Sequence, residues 1–166
     1  MENRKCRVNL VGIGMGSKGT LTEEVRKIIA ESDVLIGATR MLEGFLGKKK
    51  CYYAEYLPEK IRAILDEQEK KTRCTVLFSG DTGFYSGAKK LADILKKDGY
   101  EVQIFPGISS VIYLAARVGK SWEDAKIISM HGRSQNFIYA VANHEKTFHP
   151  DRAAREHYMQ NIQSVP

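Results

Sequence analysis

The stretch Val76-Leu77-Phe78-Ser79-Gly80-Asp81-Thr82-Gly83-Phe84-Tyr85-Ser86 constrains the fold more than any other part of this 166-residue chain. Val76 to Phe78 is a short β-branched and aromatic run that stops at turn residues, the pattern of a buried strand. Ala88, Leu91, Ala92 and Leu95 then recur at three- and four-residue spacing, the pattern of a helix with one buried face. A strand that opens through a Gly-Asp loop into a helix puts polar groups at the strand's carboxyl end. In open α/β sheets, ligands bind along that edge. Read alone, the loop is also satisfied by an ordinary turn in which Asp81 caps a backbone amide.

The same unit recurs on both sides of this stretch. Arg7 to Val11 reads as a first strand and leads into Gly12-Ile13-Gly14-Met15-Gly16-Ser17-Lys18-Gly19. Thr20-Leu21-Thr22-Glu23 has the form of a capping box with Thr20 as N-cap, and Leu21, Val25, Ile28 and Ile29 give that helix a buried face. Asp33 to Gly37 is a second buried strand, Thr39 to Phe45 a short helix and Cys51 to Tyr53 a third strand. Pro58 suits a first helical position, with Ile61, Ile64 and Leu65 on the apolar face. Gly99 stops the central helix. Glu101 to Phe105 is the next strand, and Pro106-Gly107-Ile108-Ser109-Ser110 turns into a helix bearing Val111, Ile112, Leu114 and Ala115. Strands alternating with helices specify an α/β fold, a mainly parallel sheet with flanking helices.

The character changes near Gly119-Lys120-Ser121-Trp122, where we expect a linker. Ala125 to Met130 begins a fresh strand and Gln135 to Glu145 a helix. The expected organisation is a complete N-terminal α/β domain over 1–119, the start of a second α/β domain over 120–148, and an atypical polar tail over 149–166. No internal repeat or low-complexity tract is present.

Composition narrows the function classes. Hydrophobic residues make up 43%, as in a soluble globular protein, and no apolar run approaches the roughly 20 residues of a membrane span. Cys6, Cys51 and Cys74 are odd in number and far apart. They read as reduced, partly buried thiols of a cytoplasmic protein. The net charge of +6 comes largely from lysine clusters such as Lys48-Lys49-Lys50, Lys89-Lys90 and Lys96-Lys97. These form no stripe with interleaved aromatics, so nucleic acid is disfavoured. A small polyanionic substrate fits the charge as well as a solvated surface does.

Gly14, Gly16 and Gly19 form a GxGxxG between a strand and a helix, the pattern of a dinucleotide loop. The acid that should end the second strand and hold the ribose hydroxyls is missing. That strand ends Ile36-Gly37-Ala38-Thr39-Arg40, so only a phosphorylated ribose held by Arg40 would fit, as in an NADP-dependent oxidoreductase. Met130-His131-Gly132-Arg133 closes a further strand. No second histidine or carboxylate at ligand spacing accompanies His131, so no metal is expected. His144, His149 and His157 receive no role, and Met15, Met41 and Met130 read as core filler.

Three loops taken together, Val11-Gly12-Ile13-Gly14-Met15-Gly16, Ser79 to Ser86 and Phe105 to Ser110, resemble the tetrapyrrole methylase family in order and separation. Gly37-Ala38-Thr39-Arg40-Met41-Leu42 and Ile127-Ile128-Ser129-Met130-His131-Gly132-Arg133 are similar to the branch that methylates carbon 5 of a corrin precursor in cobalamin biosynthesis. The resemblance implies two α/β domains with S-adenosylmethionine in the cleft between them. By position, Ser79, Gly80 and Asp81 would hold the cofactor's methionine end and ribose. Phe84 would pack on the cofactor, and Ser109 and Ser110 would contact it from the neighbouring loop. Gly14, Met15, Tyr85, Ser86 and Arg133 would face the substrate, a polycarboxylate, with His131 the one candidate for a catalytic role. Met15 stands where many relatives have proline, and Ala38 where some carry a catalytic acid.

Methyl transfer from a sulfonium is a direct displacement in which the carbon nucleophile belongs to the substrate. Orientation then supplies much of the rate, roughly 7–11 kcal/mol at best, and the absence of a Ser-His-Asp or Cys-His set is expected. Relatives continue after Lys146-Thr147-Phe148 into the rest of a second domain, whereas here His149-Pro150-Asp151-Arg152 follows. The sequence therefore reads as a truncated or frame-altered member, with an inactive or partner-completed fragment as the alternative to an active enzyme. A homo-oligomer, or a partner methylase or decarboxylase subunit, would complete the cleft.

Overall fold

The computed structural model describes residues 5–47, 50–123, 125–127 and 147–148. The chain divides into two units that meet between Ser109 and Ser110. The first unit contains five strands: β1 (Arg7–Gly12), β2 (Val34–Gly37), β3 (Cys51–Ala54), β4 (Arg73–Phe78) and β5 (Glu101–Phe105). Its α-helices are α1 (Glu23–Glu31), α2 (Thr39–Leu42), α3 (Pro58–Asp66) and α4 (Ala88–Lys97). All pairings are parallel, in the spatial order β3-β2-β4-β1-β5. The expected parallel α/β architecture is the one observed.

Two apolar layers sandwich the sheet. Val8, Leu10, Ile36 and Val76 pack on one face with Ile61 and Leu65 of α3 and Leu91, Ala92 and Leu95 of α4. Val11, Leu35 and Leu77 pack on the other with Val25 and Ile29 of α1. The alternation along β1 and β4 sends successive side chains to opposite layers, as a strand buried on both faces requires. Ser32 and Thr75 are the polar pair inside this core, their hydroxyls 2.7 Å apart. Cys6 and Cys74 are buried thiols and Cys51 is exposed, none of them in a disulfide. The Cys6 thiol beside it and burial raise the Cys74 thiol well above its ordinary range, so it stays protonated.

Two details depart from the expectation. The N-cap of α1 is Thr22, whose hydroxyl accepts the Val25 N–H at 3.2 Å; Thr20 instead ends a 3₁₀ turn, Lys18–Thr20. The helix Thr39 to Phe45 is split into α2 and a second 3₁₀ turn, Glu43–Phe45.

At the opposite end of the sheet from the strand exits, Asp66 accepts hydrogen bonds from Lys5 Nζ at 2.8 Å and from the Tyr100 hydroxyl at 2.7 Å. Those two donors, Lys5 first, hold its carboxyl below the usual carboxylate range. A carboxylate with a depressed folded pKa contributes stability that is present above its unfolded value, about 3.9, and is lost as pH falls through the folded one. Asp66→Asn should therefore melt below wild type at pH 7. The gap should narrow as the pH falls below about 4 and close once it has passed the depressed folded pKa, below which both proteins are neutral at this position.

In the second unit, α5 (Ser110–Arg117) is followed by β6 (Lys126–Ile127), which pairs in parallel with β7 (Thr147–Phe148). Val111 and Ala115 of α5 are buried. Ile112 and Leu114 of the same helix are exposed. The expected strand Ala125 to Met130 is described only as β6, and the helix expected over Gln135 to Glu145 lies outside the described residues.

Candidate active site

The loops after β1, β4 and β5 leave the sheet at its carboxyl edge, and because β1 lies between β4 and β5 they leave side by side. Past the last strand pair they remain hydrogen bonded. Ile13 N–H donates to Phe78 O at 2.9 Å, and Gly14 and Gly80 exchange both amide bonds at 3.0 and 2.8 Å. Gly80 and Gly14 take φ of 70° and 60°, a left-handed conformation that glycine adopts without a Cβ penalty.

Three glycines close this junction. A Cβ on Gly12 would stand 2.6 Å from Gly107 N and 2.7 Å from Gly80 O. One on Gly107 would meet Gly80 O and stand 2.6 Å from the Gly12 carbonyl carbon and oxygen. These neighbours are all backbone, so no side chain can move aside. Backbones packed this closely leave their polar groups at one rim.

Asp81 ties the rim together. Its Oδ1 accepts the Gly107 N–H at 3.0 Å, 26 residues away in sequence, and its Oδ2 accepts the Gly83 N–H at 2.8 Å. Thr82 is buried and donates through Oγ1 to Phe105 O at 3.3 Å. The Asp81 side chain therefore does more than cap its own turn: it joins the β4 loop to the β5 loop. A carboxylate has about four lone-pair sites, so two remain for a ligand.

The other expected site residues divide into groups. Ser79 is exposed at the end of β4, Gly80 is buried, and Phe84 is half-buried with its ring edge-on to Tyr85 at 4.8 Å. Ser109 is buried beside this rim's last loop, and Ser110 begins α5 in the second unit. Tyr85 is 58% exposed with φ 46°, a strained backbone for a bulky residue. The Ser86 hydroxyl accepts the N–H of Ala88, the first residue of α4, at 3.2 Å. Met15 is exposed and not core filler, whereas Met41 does pack against the core. His131, Arg133 and Met130 lie outside the described residues.

Sequence reasoning missed Thr20. It is buried, and its hydroxyl accepts the Met15 N–H at 3.0 Å while donating to Ser17 O at 3.0 Å, which fixes the first glycine loop from below. That geometry also argues against the dinucleotide reading. The glycine loop ends in a 3₁₀ turn and not at the N-terminus of α1, whose first turn carries Glu23 and Glu24. A pyrophosphate needs the free amides of that helix end and would meet two carboxylates there. An open groove of about 630 Å³ between α1 and β5, lined by Glu24, Lys27, Ile28, Glu31, Gln103, Ile104 and Phe105, lies on the flank of the sheet. Of the rim's residues it includes only Phe105, where β5 ends.

Fold and rim together define a parallel α/β protein whose glycine-rich loops gather at the carboxyl edge of its sheet. The family described as Tetrapyrrole (Corrin/Porphyrin) Methylases matches residues 7–161, and the chain belongs to it; it is by class a methyltransferase. A probable cobalt-precorrin-7 C(5)-methyltransferase of Methanocaldococcus jannaschii is 34% identical over 146 residues, covering 84% of this chain and 68% of that protein. The cobalt-precorrin-7 C(5)-methyltransferase of Salmonella typhimurium is 30% identical over 141 residues, with the same coverage of 84% and 68%. Among solved structures, the precorrin-6Y methylase of Archaeoglobus fulgidus superimposes with TM-score 0.61 at 25% identity over 75% of this chain and 65% of that one. The methyltransferase CobJ shares the fold with TM-score 0.69 at 22% identity, over 81% of this chain and 60% of that one. The chain thus spans about two thirds of the length of these relatives. Among the described residues no helix is long and apolar enough to cross a membrane.

Proposed function

We propose that this chain binds S-adenosylmethionine on the rim formed by the β1, β4 and β5 loops and directs methyl transfer to carbon 5 of a corrin precursor in cobalamin biosynthesis. The observation that carries the reading is the convergence of the three loops through Gly12, Gly80 and Gly107, clasped by Asp81. The names of two relatives, 34% and 30% identical to this chain, supply the reaction. The cofactor's chemistry is an electrophilic methyl on a sulfonium. The residues present fit it: three loops packed backbone to backbone, with exposed Ser79, half-buried Phe84 and buried Ser109 on them.

The chain's part in catalysis is then to orient and to exclude water. Ser79, Gly80 and the free lone pairs of Asp81 hold the polar portion of the cofactor, Phe84 covers its apolar portion, and Ser109 with Ser110 closes the β5 side. Gly14, Met15, Tyr85 and Ser86 form the acceptor side; the roles of His131 and Arg133, which lie outside the described residues, rest on the family resemblance alone. When bound, the cofactor would supply an electrophilic methyl: its S–CH₃ bond would break as the C–CH₃ bond to carbon 5 of the acceptor forms, leaving S-adenosylhomocysteine and a proton that passes to solvent, so no protein nucleophile would be required. The positive charge of the chain favours a polycarboxylate acceptor. The three cysteines, none in a disulfide, accord with a reducing cytoplasm. A homo-oligomeric assembly, or a partner subunit, would enclose the cleft.

Isothermal titration with S-adenosylhomocysteine tests the reading, with saturable 1:1 binding expected. Heats no greater than dilution, together with no transfer of labelled methyl to a corrinoid acceptor, would reject it. A second prediction follows from Tyr85. Asparagine tolerates a left-handed backbone far better than tyrosine does. Tyr85→Asn should therefore leave stability unchanged or raise it by up to about 1 kcal/mol. Loss of an exposed ring from the acceptor side should raise the acceptor KM roughly fivefold to tenfold. A variant that loses stability and keeps its KM would show that the ring serves packing.

A further inference from the structure

Arg40 stands out among the described arginines of the first unit. Arg7, Arg26, Arg62 and Arg73 each hold a carboxylate, Glu101, Glu23, Asp98 and Asp33, at 3.0, 2.7, 2.9 and 3.0 Å. Arg40 is exposed and has no carboxylate partner among the described residues. Its place in the fold is the carboxyl edge. It follows the end of β2 by three residues, and β2 lies directly beside β4, with Ile36 opposite Val76. The segment it belongs to reaches the first glycine loop, since a Cβ on Gly44 would stand 3.9 Å from Gly16 O.

The exit of β3 lies beside it. Glu55 N–H donates to Gly37 O at 3.1 Å, tying the two strand ends together. The Glu55 carboxylate accepts the N–H groups of Tyr56 and Leu57 at 2.8 and 3.1 Å. The backbone beneath Tyr56 is thus fixed while its side chain is 72% exposed. An unpaired guanidinium and a presented aromatic ring therefore share the rim with the cofactor loops. Neighbouring strands are about 4.8 Å apart, so a macrocycle placed at the β4 loop extends past β2 toward β3.

We infer that Arg40 is a specificity-determining residue that pairs with a side-chain carboxylate of the tetrapyrrole acceptor, with Tyr56 lying along the macrocycle edge. This rests on the methyl-transfer reading and deepens it, because it fixes the direction in which the acceptor runs along the sheet. A guanidinium suits this task, since its planar fork grips a carboxylate through two parallel hydrogen bonds. Lysine would keep the charge and lose the fork.

The test uses the full chain and uroporphyrin, a planar tetrapyrrole octacarboxylate, as the probe, followed by fluorescence, with S-adenosylhomocysteine titrated in parallel. Arg40→Met should weaken uroporphyrin binding roughly tenfold and flatten its salt dependence, Arg40→Lys should recover only part, and Tyr56→Ala should weaken it less. All three should bind S-adenosylhomocysteine as wild type does. Unchanged uroporphyrin affinity in Arg40→Met overturns the assignment, and so does a wild-type chain that binds S-adenosylhomocysteine but no uroporphyrin. A loss of both ligands in step would make Arg40 structural and also overturns it. A wild-type chain that binds no S-adenosylhomocysteine rejects the underlying functional reading instead.

Discussion

Gly107→Ala is expected to be the most damaging single-methyl change in the first unit. The added Cβ would meet Gly80 O and stand 2.6 Å from both carbonyl atoms of Gly12. Overpacking against a movable side chain commonly costs 1–3 kcal/mol. Here the obstacles are backbone atoms of two other loops, and relief would separate β1 from β5 at their exits. We expect a loss of about 3 kcal/mol, which for a chain of this length lowers Tm by about 6–12 °C. Gly19→Ala is the matched control. Nothing stands within 4 Å of a Cβ there, so its change should stay within about 0.5 kcal/mol. Equal melting curves for the two variants would mean that the three-glycine junction is not closed in solution.

Asp81→Ala carries the second large effect, on binding as well as on stability. It leaves the N–H groups of Gly83 and Gly107 without their acceptor, at a cost of about 2 kcal/mol. It also frees the β5 loop from the β4 loop, so affinity for S-adenosylhomocysteine should fall by roughly a hundredfold. Asp81→Asn separates clasp from ligand. Its single carbonyl oxygen can accept only one of the two N–H groups in this geometry, and an intermediate loss of both stability and affinity is expected. If Asp81 acted only as a cofactor ligand, Asp81→Ala would lose affinity while the ligand-free protein melted as wild type. Denaturant unfolding without ligand makes that distinction.

The sheet was legible because its strands are short apolar runs ended by glycine or proline, and its helices have apolar residues on one face. Ala88, Leu91, Ala92 and Leu95 are all buried, as their spacing requires. The rim was legible less completely. That three polar loops leave the carboxyl edge follows from strand–loop–helix order, but that β1 lies between β4 and β5 does not. Without that order, the Asp81–Gly107 bond across 26 residues has no local signal. Thr20 was misread for a related reason. With Glu23 three residues on, it satisfies a capping box, yet Thr22 is equally a cap and residues 18–20 curl into a 3₁₀ turn that takes Thr20 under the glycine loop. For Thr20, the lone signal available was the positive φ that glycine permits at position 14. In α5 the sequence gives the helix but not its covered face: with apolar residues on most sides of eight residues, nothing local marks Val111 and Ala115 as the buried ones.

The central claim is that the β1, β4 and β5 loops form one cofactor rim. Amide NMR of the full chain titrated with S-adenosylhomocysteine tests it most directly. The account predicts that the largest shifts fall on Gly12, Gly80, Gly83, Gly107 and Ser109, with Lys70 and Lys97, far from the strand exits, unmoved. Shifts centred instead on the α1–β5 groove, around Glu24, Ile28 and Gln103, would contradict it.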